Sequence, residues 1–119
     1  MKRIALVSGI CVLLLAVLAY NALFSPFIQP PHIGQDLPSN FQAADQEFKQ
    51  RVEDQLNTGM SVEKLLAELE QQGFNISETS QYALFEKSQF PCTLIWRIHW
   101  DDDSGTATNL TAIYGGSCL

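Results

Sequence analysis

The residues able to do chemistry lie in the last third of this 119-residue chain. Arg97 and His99 stand two apart and Asp101 two further on. In an extended strand all three side chains project to one side. A guanidinium, an imidazole and a carboxylate so arranged suit anion binding or acid–base work. No nucleophile or second acid stands at a matching spacing, so the chain reads as a non-enzyme. Asp101-Asp102-Asp103 has the look of a cation loop. It does not fit an EF-hand, because Gly105 is out of phase and no Glu follows at the right distance. A solvated hairpin tip is the expectation. Cys92 and Cys118 have no His or third Cys at ligand spacing, so no metal and no cofactor is expected. The two read as a disulfide worth about 3–4 kcal/mol in the chain-entropy model. Trp96 and Trp100 share parity with Leu94 and Ile98, which points to a core rather than a binding platform.

These side chains need a sheet. Thr93 to Trp100 alternates, with Leu94, Trp96, Ile98 and Trp100 on one face and Ile95, Arg97 and His99 on the other. Asp101 to Gly105 reads as a turn and Thr106 to Tyr114 as the returning strand. A three-residue loop, Asp103-Ser104-Gly105, pairs Asp102 with Thr106. That register sets Ile98 against Leu110, Trp96 against Ala112 and Leu94 against Tyr114. On the other face it sets His99 against Asn109 and Arg97 against Thr111. Cys92 then opposes Gly116, and Gly115-Gly116 has to bend for Cys118 to reach it. Gln81 to Lys87 is a further strand, and Phe74 to Ser77 a weaker one.

Two helices precede the strands. Phe41, Ala44, Phe48, Val52 and Leu56 form one apolar stripe, with Asn40 as its N-cap. Ser61 caps a second helix that presents Val62, Leu65, Leu66 and Leu69 and ends at Gly73. The short Thr58-Gly59-Met60 join predicts an αα-hairpin. The expected architecture is α+β: two helices packed on a three- to four-stranded antiparallel meander.

The N-terminal part is of another kind. Lys2 and Arg3 precede Ile4 to Phe24, a run without charge and long enough to cross a bilayer. Basic residues before it favour an inside N-terminus. Residues 1–24 read as a signal-anchor transmembrane helix. The alternative is a cleaved signal peptide, for which Val17-Leu18-Ala19 offers a site. Cys11 lies within the run, not after it, and reads as an ordinary apolar residue. Residues 25–40 carry Pro26, Pro30, Pro31 and Pro38 and predict an extended spacer, with His32 solvated. The exported α+β domain is then 41–119. Residues 25–119 keep five of the seven basic residues and all 13 acidic ones, a net −8. That balance argues against nucleic acid, which recruits Lys and Arg. Asn75-Ile76-Ser77 and Asn109-Leu110-Thr111 match the glycosylation sequon.

Thr58-Gly59-Met60-Ser61-Val62-Glu63-Lys64-Leu65-Leu66 resembles the start of the second helix in the SmpA/OmlA-type small bacterial envelope lipoproteins. The order of two helices and then strands is also similar to theirs. The chain has Leu69-Glu70-Gln71-Gln72-Gly73 where those proteins carry Leu-Gly-x-Pro, and no lipidation cysteine follows its apolar run. The resemblance implies a bacterial periplasmic interaction module.

The sequence therefore predicts a protein of the inner (cytoplasmic) membrane, single-pass, with its C-terminal domain in the periplasm. It is held in the membrane through residues 4–24 and contacts another envelope or membrane protein. The binding surface is the mixed sheet face: Ile95, Arg97, His99, Asn109 and Thr111. The alternatives are a small exported enzyme or inhibitor using the His99/Arg97 face, or a cleaved, secreted domain.

Overall fold

The computed structural model describes residues 2–24, 29–56 and 59–119. Helix α1, Lys2–Phe24, is long and apolar enough to span a membrane or to serve as a signal sequence. Its side chains from Ile4 to Leu23 are almost all exposed. The amide of Asn21 donates to Val17 O at 2.8 Å, so this polar group is bonded within the helix.

The fold beyond α1 is α+β. Helices α2 (Phe41–Gln55) and α3 (Val62–Gln71) precede a four-stranded antiparallel meander. Its strands are β1 (Asn75–Ser77), β2 (Tyr82–Gln89), β3 (Cys92–Asp103) and β4 (Thr106–Cys118), in spatial order β1-β2-β3-β4. Both helix starts carry the expected caps. Asn40 Oδ1 accepts from Ala43 N–H at 3.1 Å, and Ser61 Oγ from Lys64 N–H at 3.2 Å. Of the expected stripe, Ala44, Phe48, Val52 and Leu56 are buried, whereas Phe41 at its start is 42% exposed; Leu65 and Leu69 are buried. These side chains form one core with Phe74, Ala83, Trp96, Ile98, Trp100, Ala107 and Ala112. The two tryptophans are core residues, at 2% and 3% exposure.

Three expectations need correction. The first is the spacer. Residues 25–28 lie outside the described residues, but from Pro30 onward the segment belongs to the domain. Pro31, Ile33 and Gly34 are buried, in and beside a 3-10 turn at His32–Gly34, and Leu37 packs against the core. His32 itself is exposed. Ile33 N–H donates to Gln72 Oε1 at 2.9 Å, and the Arg51 guanidinium donates to Gln35 O. The indole N–H of Trp96 donates to Gly34 O at 3.0 Å. Four prolines exclude regular structure, but they do not exclude burial. Ile33 and Leu37 provide the apolar surface, and Gly34 lets the backbone lie against the indole.

The second is the join between α2 and α3, part of which lies outside the described residues. Its described part is an extension of the sheet. Gly59 N–H donates to Ala107 O at 2.9 Å, Ala107 N–H to Met60 O at 2.8 Å, and Ser61 bridges Thr106. Backbone pairing with β4 replaces the expected tight helical hairpin, and it covers that part of the strand's outer edge.

The third is the β3–β4 register. The loop has two residues, Ser104 and Gly105, with φ of 52° and 89°. Positive φ at both is the turn whose twist matches the strands. Asp102 therefore faces Ala107 and Asp103 faces Thr106. A bulge follows opposite Trp100, with Asn109 at φ 51°. Beyond it Ile98 faces Ala112, Trp96 faces Tyr114 and Leu94 faces Gly116. The net slip from the expected pairing is two residues, so the division into faces survives while every partner changes. The bulge also reverses parity within β4, which is why Ala107 and Ala112 both reach the core.

Helix α2 covers the outer edge of β4 further along. Tyr114 N–H donates to Asp45 Oδ1 at 2.9 Å, and Asp45 also accepts from Lys49. Burial raises the Asp45 pKa, but the Lys49 hydrogen bond, the Tyr114 amide and the Lys49 charge outweigh it, so the net shift is down from 3.8. Its stabilising contribution is therefore complete above pH 3.8 and is lost as pH falls through the lower folded value. Asp45→Ala is expected to cost about 1–2 kcal/mol at neutral pH. In urea titrations the deficit should shrink as the pH falls below that value. A separate check concerns the docked segment. A Cβ at Gly34 would lie 2.4 Å from the Trp96 ring. Gly34→Ala should therefore destabilise by about 1–3 kcal/mol. An unchanged urea midpoint would show that the segment is not seated on the indole.

Candidate functional site

The helices and the docked segment cover one face of the sheet. Among the described residues, no helix of the domain covers the opposite face. Alternation places Tyr82, Leu84 and Glu86 of β2, Ile95, Arg97 and His99 of β3, and Thr111 and Ile113 of β4 on it. Arg97 lies between Leu84 and Ile113, and His99 between Tyr82 and Thr111. The strands hold these side chains in fixed register, so the patch is built on the most regular part of the molecule.

Arg97 is at its centre. The residue is half-buried, and its guanidinium carbon lies 6.0 Å from the centroid of the Tyr82 ring. The His99 ring lies 5.7 Å from the same phenol, tilted by 44°. Arg97 Nε is shielded from solvent and has no hydrogen-bond partner. A shielded donor without an acceptor is costly, so a carbonyl or carboxylate oxygen that reached it through a shift of the guanidinium would relieve that cost. Beside Arg97 a shallow depression of about 250 Å³ is bordered by Ile95, Ile113, Gly115, Gly116 and Ser117. Ile113 is exposed. A cation flanked by aliphatic side chains suits a partner that brings both an acid and an apolar group.

Of the residues expected here, Ile95, Arg97, His99 and Thr111 do share the face. Asn109 does not oppose His99. It occupies the bulge, and its Nδ2 donates to Asp101 Oδ2 at 2.9 Å. Asp101 thus holds the bulge residue in place. Asp102 Oδ1 accepts from Gly105 N–H at 2.7 Å, closing the hairpin tip. Among the described residues no group of three His, Cys, Asp or Glu side chains is arranged to hold a metal ion. Tyr82, Leu84 and Ile113 belong to the face and were not foreseen. The signal for Ile113 was its shared parity with Thr111. For β2 the sequence left open which parity faces inward. Ala83 and Phe85 do, opposite Ile98 and Trp96.

Cys92 and Cys118 form a disulfide at a sequence separation of 26. They oppose each other directly, because of the same two-residue slip. No bending at Gly115-Gly116 is needed. Tyr114 N–H points outward to Asp45, so Trp96–Tyr114 is a non-hydrogen-bonded pair. By period two, Cys92–Cys118 is another, the kind in which side chains approach most closely. Cys11 is free and lies in α1.

Comparison with known proteins adds no relative. No family model, curated protein or solved structure matches the chain.

The crosslink closes the open end of the β3–β4 pair. Replacing both cysteines by serine is expected to lower stability by about 3–4 kcal/mol without changing the strand pairing. Urea unfolding with and without reductant, read by near-UV circular dichroism of the core tryptophans, checks this. A midpoint indifferent to reductant would mean that the fold does not depend on the bridge.

Proposed function

We propose that this protein is a membrane-anchored, extracytoplasmic binding module that docks a second envelope protein on its open sheet face and performs no catalysis itself. The observation that carries the reading is Arg97, half-buried on an uncovered face with a shielded and unpartnered Nε. Beta-sheet faces that stay open tend to carry polar side chains. This one carries Leu84, Ile95 and Ile113 around a cation and an aromatic pair. Apolar area around an Arg is the usual composition of a binding centre.

The setting is consistent with this. Helix α1 supplies an anchor, and two basic residues at its start favour an inside N-terminus. The disulfide suits an oxidising compartment, such as the periplasm beyond an inner membrane. The resemblance to SmpA/OmlA-type proteins points toward the same compartment. Use of His99 for catalysis is the weaker reading, because the imidazole lies on an open face beside Tyr82 and Thr111. Water is not excluded there, and electrostatic stabilisation of a reaction gains most where it is.

The test is site-specific photo-crosslinking in native membranes. A crosslinker at Thr111 should capture one discrete partner, whereas one at Glu53 on the outer surface of α2 should not. Arg97→Ala should abolish the Thr111 product while leaving the unfolding free energy within about 1 kcal/mol. The product should also fade as salt rises, as charge-assisted contacts at a surface do. Equal capture from both positions, or capture unaffected by Arg97→Ala, would refute the assignment of this face.

A further inference from the structure

Outside α1, the large hydrophobic side chains exposed among the described residues are Phe41, Phe90, Ile113 and Leu119. Ile113 belongs to the open face. The other three gather at one end of the sheet. Phe90 sits in the β2–β3 turn and is 79% exposed. Leu119 N–H donates to Pro91 O at 3.0 Å, which holds the end of the chain beside that turn. Phe41 lines the same hollow as Phe90 and Pro91. Pro30, where the chain arrives from α1, lines it too.

This gathering is placed by the tether. Six residue steps separate Phe24, the last residue of α1, from Pro30. At full extension they span about 22 Å. The Phe90 end of the domain therefore cannot stand far from the surface through which α1 emerges. The opposite end of β3 carries Asp101, Asp102 and Asp103. It lies about 36 Å from Cys92, taking about 3.3 Å per residue along the strand. Lys87 and Asp36 are the charged side chains lining the hollow near Phe90, and they balance. A tip of three aspartates on a domain of net −8 is repelled by anionic headgroups more strongly than an end that is mainly apolar.

We infer that Phe90, flanked by Phe41 and Leu119, is a membrane-interface foot that rests in the bilayer holding α1 and stands the sheet upright with Asp101–Asp103 pointing away. The inference rests on the anchored reading of α1. Phe90 is suited to the role because its turn is held from behind. Cys92 begins the next strand and is bridged to Cys118, so seating the ring costs little additional ordering.

The experiment uses the full chain reconstituted in vesicles of phosphatidylethanolamine and phosphatidylglycerol, with and without brominated acyl chains. Phe90→Trp places an indole at the foot, and Asp103→Trp places one at the far tip. Emission is read as a difference from the wild-type chain, whose Trp96 and Trp100 are buried. The inference predicts a blue-shifted difference emission for Phe90→Trp that brominated lipid quenches. It predicts a red-shifted and unquenched one for Asp103→Trp. A blue-shifted Phe90→Trp signal that brominated lipid leaves intact would mean that protein, a second copy or a partner, covers the ring, and would overturn the inference. So would a red-shifted, unquenched one. Flotation after alkaline wash separates the two levels. A chain that leaves the vesicles refutes the anchored reading itself, whereas one that stays with an unquenched Phe90→Trp refutes only the foot.

Discussion

Trp96 is the side chain on which separate parts of this molecule converge. Its ring centroid lies 5.5 Å from that of Phe85 and 5.1 Å from that of Tyr114, so it fastens β2 and β4 to β3. Its one polar atom is bonded to Gly34 O. An indole N–H buried without an acceptor would be a liability, so the docked segment completes the core as well as covering it. Without that segment the largest aromatic cluster of the fold would face water. The stretch from Pro30 onward is thus a wall of the domain.

Joining the segment to the core shortens the free tether. In the anchored reading of α1, a spacer running to residue 40 would let the domain drift over a wide shell above the bilayer. Docking at Pro30 leaves about 22 Å at most after α1. With α1 held in a membrane, so short a connection would raise the effective concentration of the domain at the surface and restrict the directions it can face. This is why the distribution of exposed side chains over the two ends of the sheet matters. With a long spacer the same asymmetry would have no preferred orientation to act on.

Much of this architecture was legible in the sequence, and the exceptions have physical reasons. The stripe from Ala44 to Leu56 and the alternation from Leu94 to Trp100 are periodic, and periodicity reports which side of an element is buried. Both came out as read. Pairing partners are a different matter. They depend on turn geometry and bulges, and Asn109 in the left-handed region leaves no mark that distinguishes it from an ordinary strand residue. The slip of two kept Arg97 and His99 on the open face and moved Ile113 from opposite Ile95 to opposite Arg97, while the bulge took Asn109 out of the pairing. Burial of Ile33 was illegible for another reason. Two apolar residues among prolines have no period, and only the tertiary partner, Trp96, gives them a place.

The face assignment is consequently firmer than any single contact on it. Shifting a register by an even number exchanges neighbours but never turns a side chain over. Arg97 faces away from the helices in the expected register and in the observed one. Asp45 caps the β4 edge, Glu47 pairs with Arg51, and Asp101 and Asp102 close the hairpin, while Glu86 stands on the open face itself, opposite Ile95. The half-buried arginine without a hydrogen-bond acceptor at Nε, on the regular part of the sheet, is the feature on which the proposed docking rests.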